Sequence, residues 1–356
     1  MKSHIFITDS DFSTTDKSFE YILGFQPTFG GIILNEDSIY ILLDSRYIGN
    51  KDKVDLKNIK DKTHVQKIEF VKFEKGWEGL LENVIKLTGS SDIIILENNI
   101  ASKYLEFIKE NTGKLIELNE SYFGKQRLFK QENELENIKK AIEIIDKVFT
   151  YVEYIANTGI LIGKSENQVR SIIINKIFEN GGDGESFDSI VAFGKNSAIP
   201  HHKTGNTIIG NGPLLLDIGA KYKGYCSDFT RTIWVGERTE EYVEFKKIYD
   251  IVKQAHNLAF ENFSEGFNGK DLEKVARDYI IKNGYGDNFS HSLGHGVGLD
   301  IHENPRINVS SEDKLTNNMV FTIEPGIYLD GKFGVRLEDI VFVENGTLKK
   351  HTKVAI

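Results

Sequence analysis

The chain has 356 residues, 40% of them hydrophobic and 27% charged, with a formal net charge of −9. That length points to two domains of ordinary globular composition, and the acidic balance repels a nucleic-acid backbone. The single cysteine, Cys226, excludes an intrachain disulfide, and no apolar run of about 18 residues is present to span a membrane. The opening MKSHIFITDSDF lacks the apolar core of a secretory signal, so a cytoplasmic location is expected.

The first 125 residues read as an α/β domain. GGIILNEDSIYILLDSRY (30–47) is a hairpin turning at Asn35-Glu36-Asp37. HVQKIEFVKF (64–73) and DIIILEN (92–98) are further strands, separated by a helix over 77–89. A long amphipathic helix then covers 128–159, with Leu135, Ile138, Ala141, Ile142, Ile145, Val148 and Phe149 at three- and four-residue spacing and Gly159 at its end. A domain boundary just before it separates 1–125 from 126–356. A second helix is capped by Ser165 and stops at Gly181-Gly182. Strands dominate thereafter, apart from helices near 239–262 and 270–283. The fold class is α+β.

Five side chains in this second part carry metal-binding chemistry: Asp217, Asp228, His295, Glu324 and Glu338. Each lies in a stretch that reads as a strand or its edge. LLLDIGAKYKGYCSDFTRTIWVG (214–236) reads as two strands joined by a turn at Lys221 to Gly224, an arrangement that lets Asp217 and Asp228 face each other. HSLGHGVGLDIHENP (291–305) carries His291, His295 and His302, with glycine on both sides of His295 permitting close backbone approach. Glu324 ends a strand before Pro325-Gly326, and Glu338 falls within a second apolar strand, on the face of Arg336. Four carboxylates in a strand-rich core repel and desolvate one another unless cations compensate, and two divalent ions supply about four positive charges. The ligand set is hard and has no thiolate, which favours Mn²⁺, Co²⁺ or Fe²⁺, with Zn²⁺ as a further alternative.

Together with SFDSIVAFGKNSAIPHH (186–202), these segments resemble the pita-bread metallopeptidases, specifically the Xaa-Pro branch of aminopeptidase P and prolidase. The likeness runs over 128–356, and DSRY (44–47) resembles the creatinase-like N-terminal domain of that family. The resemblance implies a creatinase-like α/β domain followed by a pita-bread catalytic domain. It implies that Asp217 chelates one of two ions, that Asp228 and Glu338 bridge them, and that His295 and Glu324 complete the other's shell. Glu324 is then also the general base for the water held between the ions. His201 steadies substrate and intermediate, His302 contacts the scissile region, His291 lines the pocket for proline, and Tyr328 and Arg336 lie near the substrate. His202, directly after His201, is the rival for that role, and the spacing from Pro200 favours His201.

The activity implied is removal of the N-terminal residue from peptides with proline in second position, Mn²⁺ being the first choice of metal. Prolidase action on Xaa-Pro dipeptides is the alternative. Methionine aminopeptidase shares the five ligands, but a 125-residue first domain and the AIPHH stretch disfavour it. A noncatalytic binding module has no use for the acidic cluster. The expected partners are small peptides and a second copy of the chain, the first domain packing on that copy.

Overall fold

The computed structural model describes residues 1–12, 17–119 and 121–356. They form two compact units, Met1–Lys125 and Gln126–Ile356. Among the described residues no helix is long and apolar enough to cross a membrane.

The first unit is built on a six-stranded sheet of β1 (Lys2–Asp9), β2 (Phe29–Leu34), β3 (Ser38–Leu43), β4 (Lys67–Lys72), β5 (Ile93–Glu97) and β6 (Leu115–Asn119), in the order β4-β3-β2-β1-β5-β6. The hairpin expected at 30–47 is the antiparallel pair β2–β3, while β4, β5 and β6 join by parallel pairing. Helix Gly76–Leu87 covers the sheet with Leu80, Leu81 and Val84. The strand β1 was not among those expected. Its run KSHIFITD is buried at nearly every position, so no polar alternation marks it as a strand.

In the second unit the four expected helices are Glu132–Asn157, Glu166–Glu179, Glu241–Glu261 and Gly269–Lys282. The first buries Ile138, Ala141, Ile142, Ile145, Val148 and Phe149 of the predicted stripe and leaves its first member, Leu135, half-buried. Ser165 caps the second by accepting from the Gln168 amide at 3.2 Å.

Four sheets carry the rest. β7 (Gly184–Glu185), β10 (Ala220–Tyr222) and β11 (Tyr225–Cys226) form one, and β8 (Ile190–Phe193), β9 (Gly212–Ile218) and β12 (Phe229–Val235) another. The turn expected at 221–224 closes β10 on β11, with Lys223 and Gly224 at φ 48° and 80°. β13 (Gly294–Gly296), β14 (Glu303–Ile307), β15 (Val320–Ile323), β18 (Asp339–Glu344) and β19 (Thr347–Lys350) make a five-stranded sheet, and β16 (Gly326–Leu329) pairs with β17 (Phe333–Arg336).

Two expectations need correction. Asp217 is paired across the sheet with Thr230, not Asp228, because the strands re-pair after the β10–β11 excursion with Ile218 opposite Phe229. Asp228 reaches the same face two residues further along, just before β12. Glu338 is not within a strand: it occupies the step between β17 and β18. There two neighbouring chains change sheets together, since Ile323 pairs with Asp339 but Gly326 pairs with Arg336. Glu324 and Glu338 sit at that break, where side chains are freed from the regular alternation.

Candidate metal centre

Strand ends and irregularities place every member of the cluster but Asp217, which comes from a regular strand. Asp217 projects from β9, Asp228 from the entry to β12, and Glu324 and Glu338 from the break just described. His295 lies on β13 beside a register shift between His295 and Gly296. A Cβ on Gly294 would fall 2.0 Å from the Thr322 carbonyl oxygen and one on Gly296 would fall 2.1 Å from that of Asn304, so both flanking residues must be glycine for the strands to approach. All five side chains line one cavity of about 550 Å³, together with His201, His291, His302 and Arg336.

Ligating atoms of Asp228, His295 and Glu338 all lie within 4.8 Å of one another. His295 Nε2 is 3.3 Å from Glu324 Oε1 and 3.5 Å from Asp228 Oδ2. Burial, with His302 second, draws the pKa of His295 down to about 3, so the ring is neutral and its lone pair is available. Burial pushes the carboxyl of Glu324 up to about 8. Asp228 and Glu338 are driven well above the usual carboxylate range, first by burial and then by each other's neighbours, Asp217 acting on Asp228 and Asp228 on Glu338.

Arg336 compensates part of this charge. Its Nη2 donates to Asp217 Oδ2 at 2.5 Å, and the partnership works against a burial effect that still leaves Asp217 raised. Arg336 Nη1 donates to Tyr328 Oη at 2.9 Å, and Tyr328 lies 2.8 Å from His291 Nε2. Because His291 Nδ1 faces the Ser292 carbonyl at 2.8 Å, Nδ1 carries the proton and Nε2 accepts from the tyrosine hydroxyl. Tyr328 therefore stands behind His291 and Arg336, not on the cavity wall.

The donor set fits divalent cations. Asp217 Oδ1 is buried with no hydrogen-bond partner, and the raised carboxyls record a negative charge that the protein alone leaves uncompensated.

His201 lines the cavity, whereas His202 turns away and meets Glu166 at 3.0 Å. Glu166 is fully buried at the start of its helix, where its oxygens also accept from the amides of Phe193 and Gly205. Cys226 is buried, with its sulfur 3.8 Å from the Leu299 carbonyl.

Three contributors escaped the sequence reading. Thr230 donates its hydroxyl to Glu338 Oε2 at 2.6 Å and accepts from Arg336 Nε at 3.2 Å. Thr322 receives the His295 amide at 3.1 Å. Both are two residues from an acidic cluster member, and strand alternation alone marks them as sharing its face. Arg306, directly opposite His295 in the β13–β14 pair, brings a cation to the cavity wall, and nothing local in HENPRI announces it.

An acidic cluster with one neutral histidine, set in the sheets of a pita-bread fold, defines a metallopeptidase. The chain belongs to metallopeptidase family M24, whose family model matches residues 136–345. It is 35% identical over 339 residues to the Xaa-Pro dipeptidase of Pyrococcus furiosus, covering 94% of this chain and 90% of that one. The solved Xaa-Pro dipeptidase from Bacillus anthracis superposes with a TM-score of 0.88 at 30% identity, over 99% of this chain and 93% of that one. The X-Pro aminopeptidase from Thermotoga maritima superposes with a TM-score of 0.84 at 30% identity, over 100% and 96%.

Proposed function

We propose that the protein is an Xaa-Pro dipeptidase that holds two divalent ions on Asp217, Asp228, His295, Glu324 and Glu338, with Mn²⁺ the first choice. This reverses the order suggested by the sequence, which put the aminopeptidase first. The observation that carries the reading is Arg306 on the wall of the same cavity as the acidic cluster. A dipeptide offers a free carboxylate one residue beyond its scissile bond, and a guanidinium is the side chain best matched to it. The likeness to the P. furiosus and B. anthracis dipeptidases supports the same choice.

Divalent ions held by these five residues would supply positive charge to polarise the scissile carbonyl and acidify a water molecule. Glu324 accepts that water's proton and returns it to the proline nitrogen as the C–N bond breaks and the C–O bond forms. His201 donates to the oxygen on which charge develops, and His302, whose ring centroid is 4.3 Å from that of His295, borders the scissile bond. His291, fixed by Tyr328, and Arg336 bound the proline side. Proline lacks an N–H, so nothing here has to accept one.

Hydrolysis of Gly-Pro, Gly-Pro-amide, a longer Gly-Pro peptide and Met-Ala under added Mn²⁺ tests the reading. Gly-Pro is expected to be cleaved fastest, with the amide losing at least about tenfold in kcat/KM, the equivalent of about 1.4 kcal/mol. Arg306→Met is expected to erase most of that advantage. Equal cleavage of the longer peptide favours the aminopeptidase reading, to which the T. maritima structure lends support.

A further inference from the structure

Residues 289–293 carry His291 to the cavity and belong to no helix or strand. Their backbone polar groups still require partners, and two side chains one turn apart on helix Gly269–Lys282 provide three of them. Glu273 accepts from the Leu293 amide at 2.6 Å. Arg277 donates Nη1 to the Phe289 carbonyl at 2.8 Å and Nη2 to the His291 carbonyl at 2.7 Å. The pair is closed on itself, Arg277 Nε donating to Glu273 Oε1 at 2.6 Å, and the guanidinium carbon lies 4.1 Å from the centroid of the Phe289 ring.

The segment thus held delivers two contacts to the site. The Leu293 carbonyl accepts from the Glu324 amide at 2.8 Å. The His291 ring, edge-on to Phe289 with centroids 5.1 Å apart, begins the chain of hydrogen bonds through Tyr328 and Arg336 to Asp217.

We propose that Glu273 and Arg277 are positioning residues that latch His291 in place for the proline end of the substrate, an inference that rests on the Xaa-Pro reading above. The latch depends on the planar guanidinium, which spans two carbonyls at fixed separation while keeping a third donor for Glu273. Glu273 is 1% exposed, so water does not replace it there.

Arg277→Met keeps the length of the side chain and removes its donors. For the Mn²⁺-loaded variant KM for Gly-Pro is expected to rise at least about tenfold while kcat stays within about threefold, the scale of losing a charged hydrogen bond that orients substrate. Mn²⁺ stoichiometry and affinity, measured by calorimetry, are expected to match the wild type, and amide hydrogen exchange across 287–294 is expected to accelerate. Arg277→Lys, with a point charge in place of the fork, is expected to recover part of the KM. Glu273→Gln retains an acceptor for Leu293 and gives the same reading where Arg277→Met unfolds. Wild-type KM in these variants overturns the proposal. A fall in kcat and Mn²⁺ affinity at unchanged KM also overturns it, since the pair then supports the metal cluster and not His291. A wild-type protein inert toward Gly-Pro overturns the substrate reading instead, and exchange across 287–294 then decides the latch by itself.

Discussion

Thr230 and Glu338 are joined twice: the Glu338 amide donates to the Thr230 carbonyl at 3.0 Å, and the Thr230 hydroxyl donates to Glu338 Oε2 at 2.6 Å. The backbone contact sets where Glu338 lies at the break between β17 and β18, and the hydroxyl sets where its carboxylate points. Thr230→Val keeps the shape and the backbone bond but loses the hydroxyl. Metal affinity of the variant, read by Mn²⁺ titration of metal-free protein, is expected to fall about 10- to 100-fold, the range found when a residue orienting a ligand is removed. Thr230→Ser is expected to hold near wild type. Equal affinities for the valine and serine variants contradict the orienting role.

Asp228→Asn removes one charge from a crowded site and exchanges an acceptor oxygen for an NH₂ donor, which cannot bridge two cations. Turnover is expected to fall at least about a hundredfold with loss or weakening of one ion. The metal-free variant is expected to melt no lower than the metal-free wild type, because burial and Asp217 already disfavour the Asp228 carboxylate. Two bound ions and unchanged turnover in the variant would refute the bridging assignment.

The stability of metal-free protein depends on pH in a direction that follows from the same groups. Asp228 and Glu338 are raised well above the ordinary carboxylate range and Glu324 to about 8, so the folded protein retains protons that the unfolded chain has released. The Glu324 contribution is complete below its ordinary 4.5 and is lost as pH rises toward 8, and those of Asp228 and Glu338 are lost in the same direction. His291 and His295, drawn from 6.5 down to about 3, act oppositely and add stability up to pH 6.5. Between pH 6.5 and 8 the carboxylates prevail, and Tm without metal is expected to fall. Saturating Mn²⁺ is expected to abolish the fall. Calorimetric melts across that window, with and without Mn²⁺, check both statements; a flat or rising metal-free Tm contradicts them.

The proposed function assigns adjacent histidines to different tasks. His201→Ala is expected to lower turnover with metal content intact, since the residue borders the cavity without joining the acidic cluster. His202→Ala removes a partner of the buried Glu166 and is expected to cost about 1–3 kcal/mol of stability, with kcat near wild type. Melting curves and steady-state kinetics of the two variants distinguish these roles; metal loss from His201→Ala comparable to that from His295→Ala would reverse the assignment.

The sequence by itself determined the helices of the second unit, the hairpin at 30–47 and the short motifs around Asp217, Asp228, His295, Glu324 and Glu338. Apolar periodicity, caps and glycines act over a few residues and are therefore visible in one chain, and the resemblance built on those motifs supplied the expected role of each. It did not reveal β1, whose burial on both faces erases alternation, nor the pairing of Asp217 with Thr230, which depends on how two strands re-pair after an intervening hairpin. The spacing from Pro200 already favoured His201, but tertiary structure alone decided that His202 turns away to meet Glu166, that Arg306 lies across from His295, and that Glu273 and Arg277 hold the segment bearing His291. Each of these contacts joins residues distant in sequence through strand register or helix docking, and register is set by the packing of whole sheets, which no local pattern encodes.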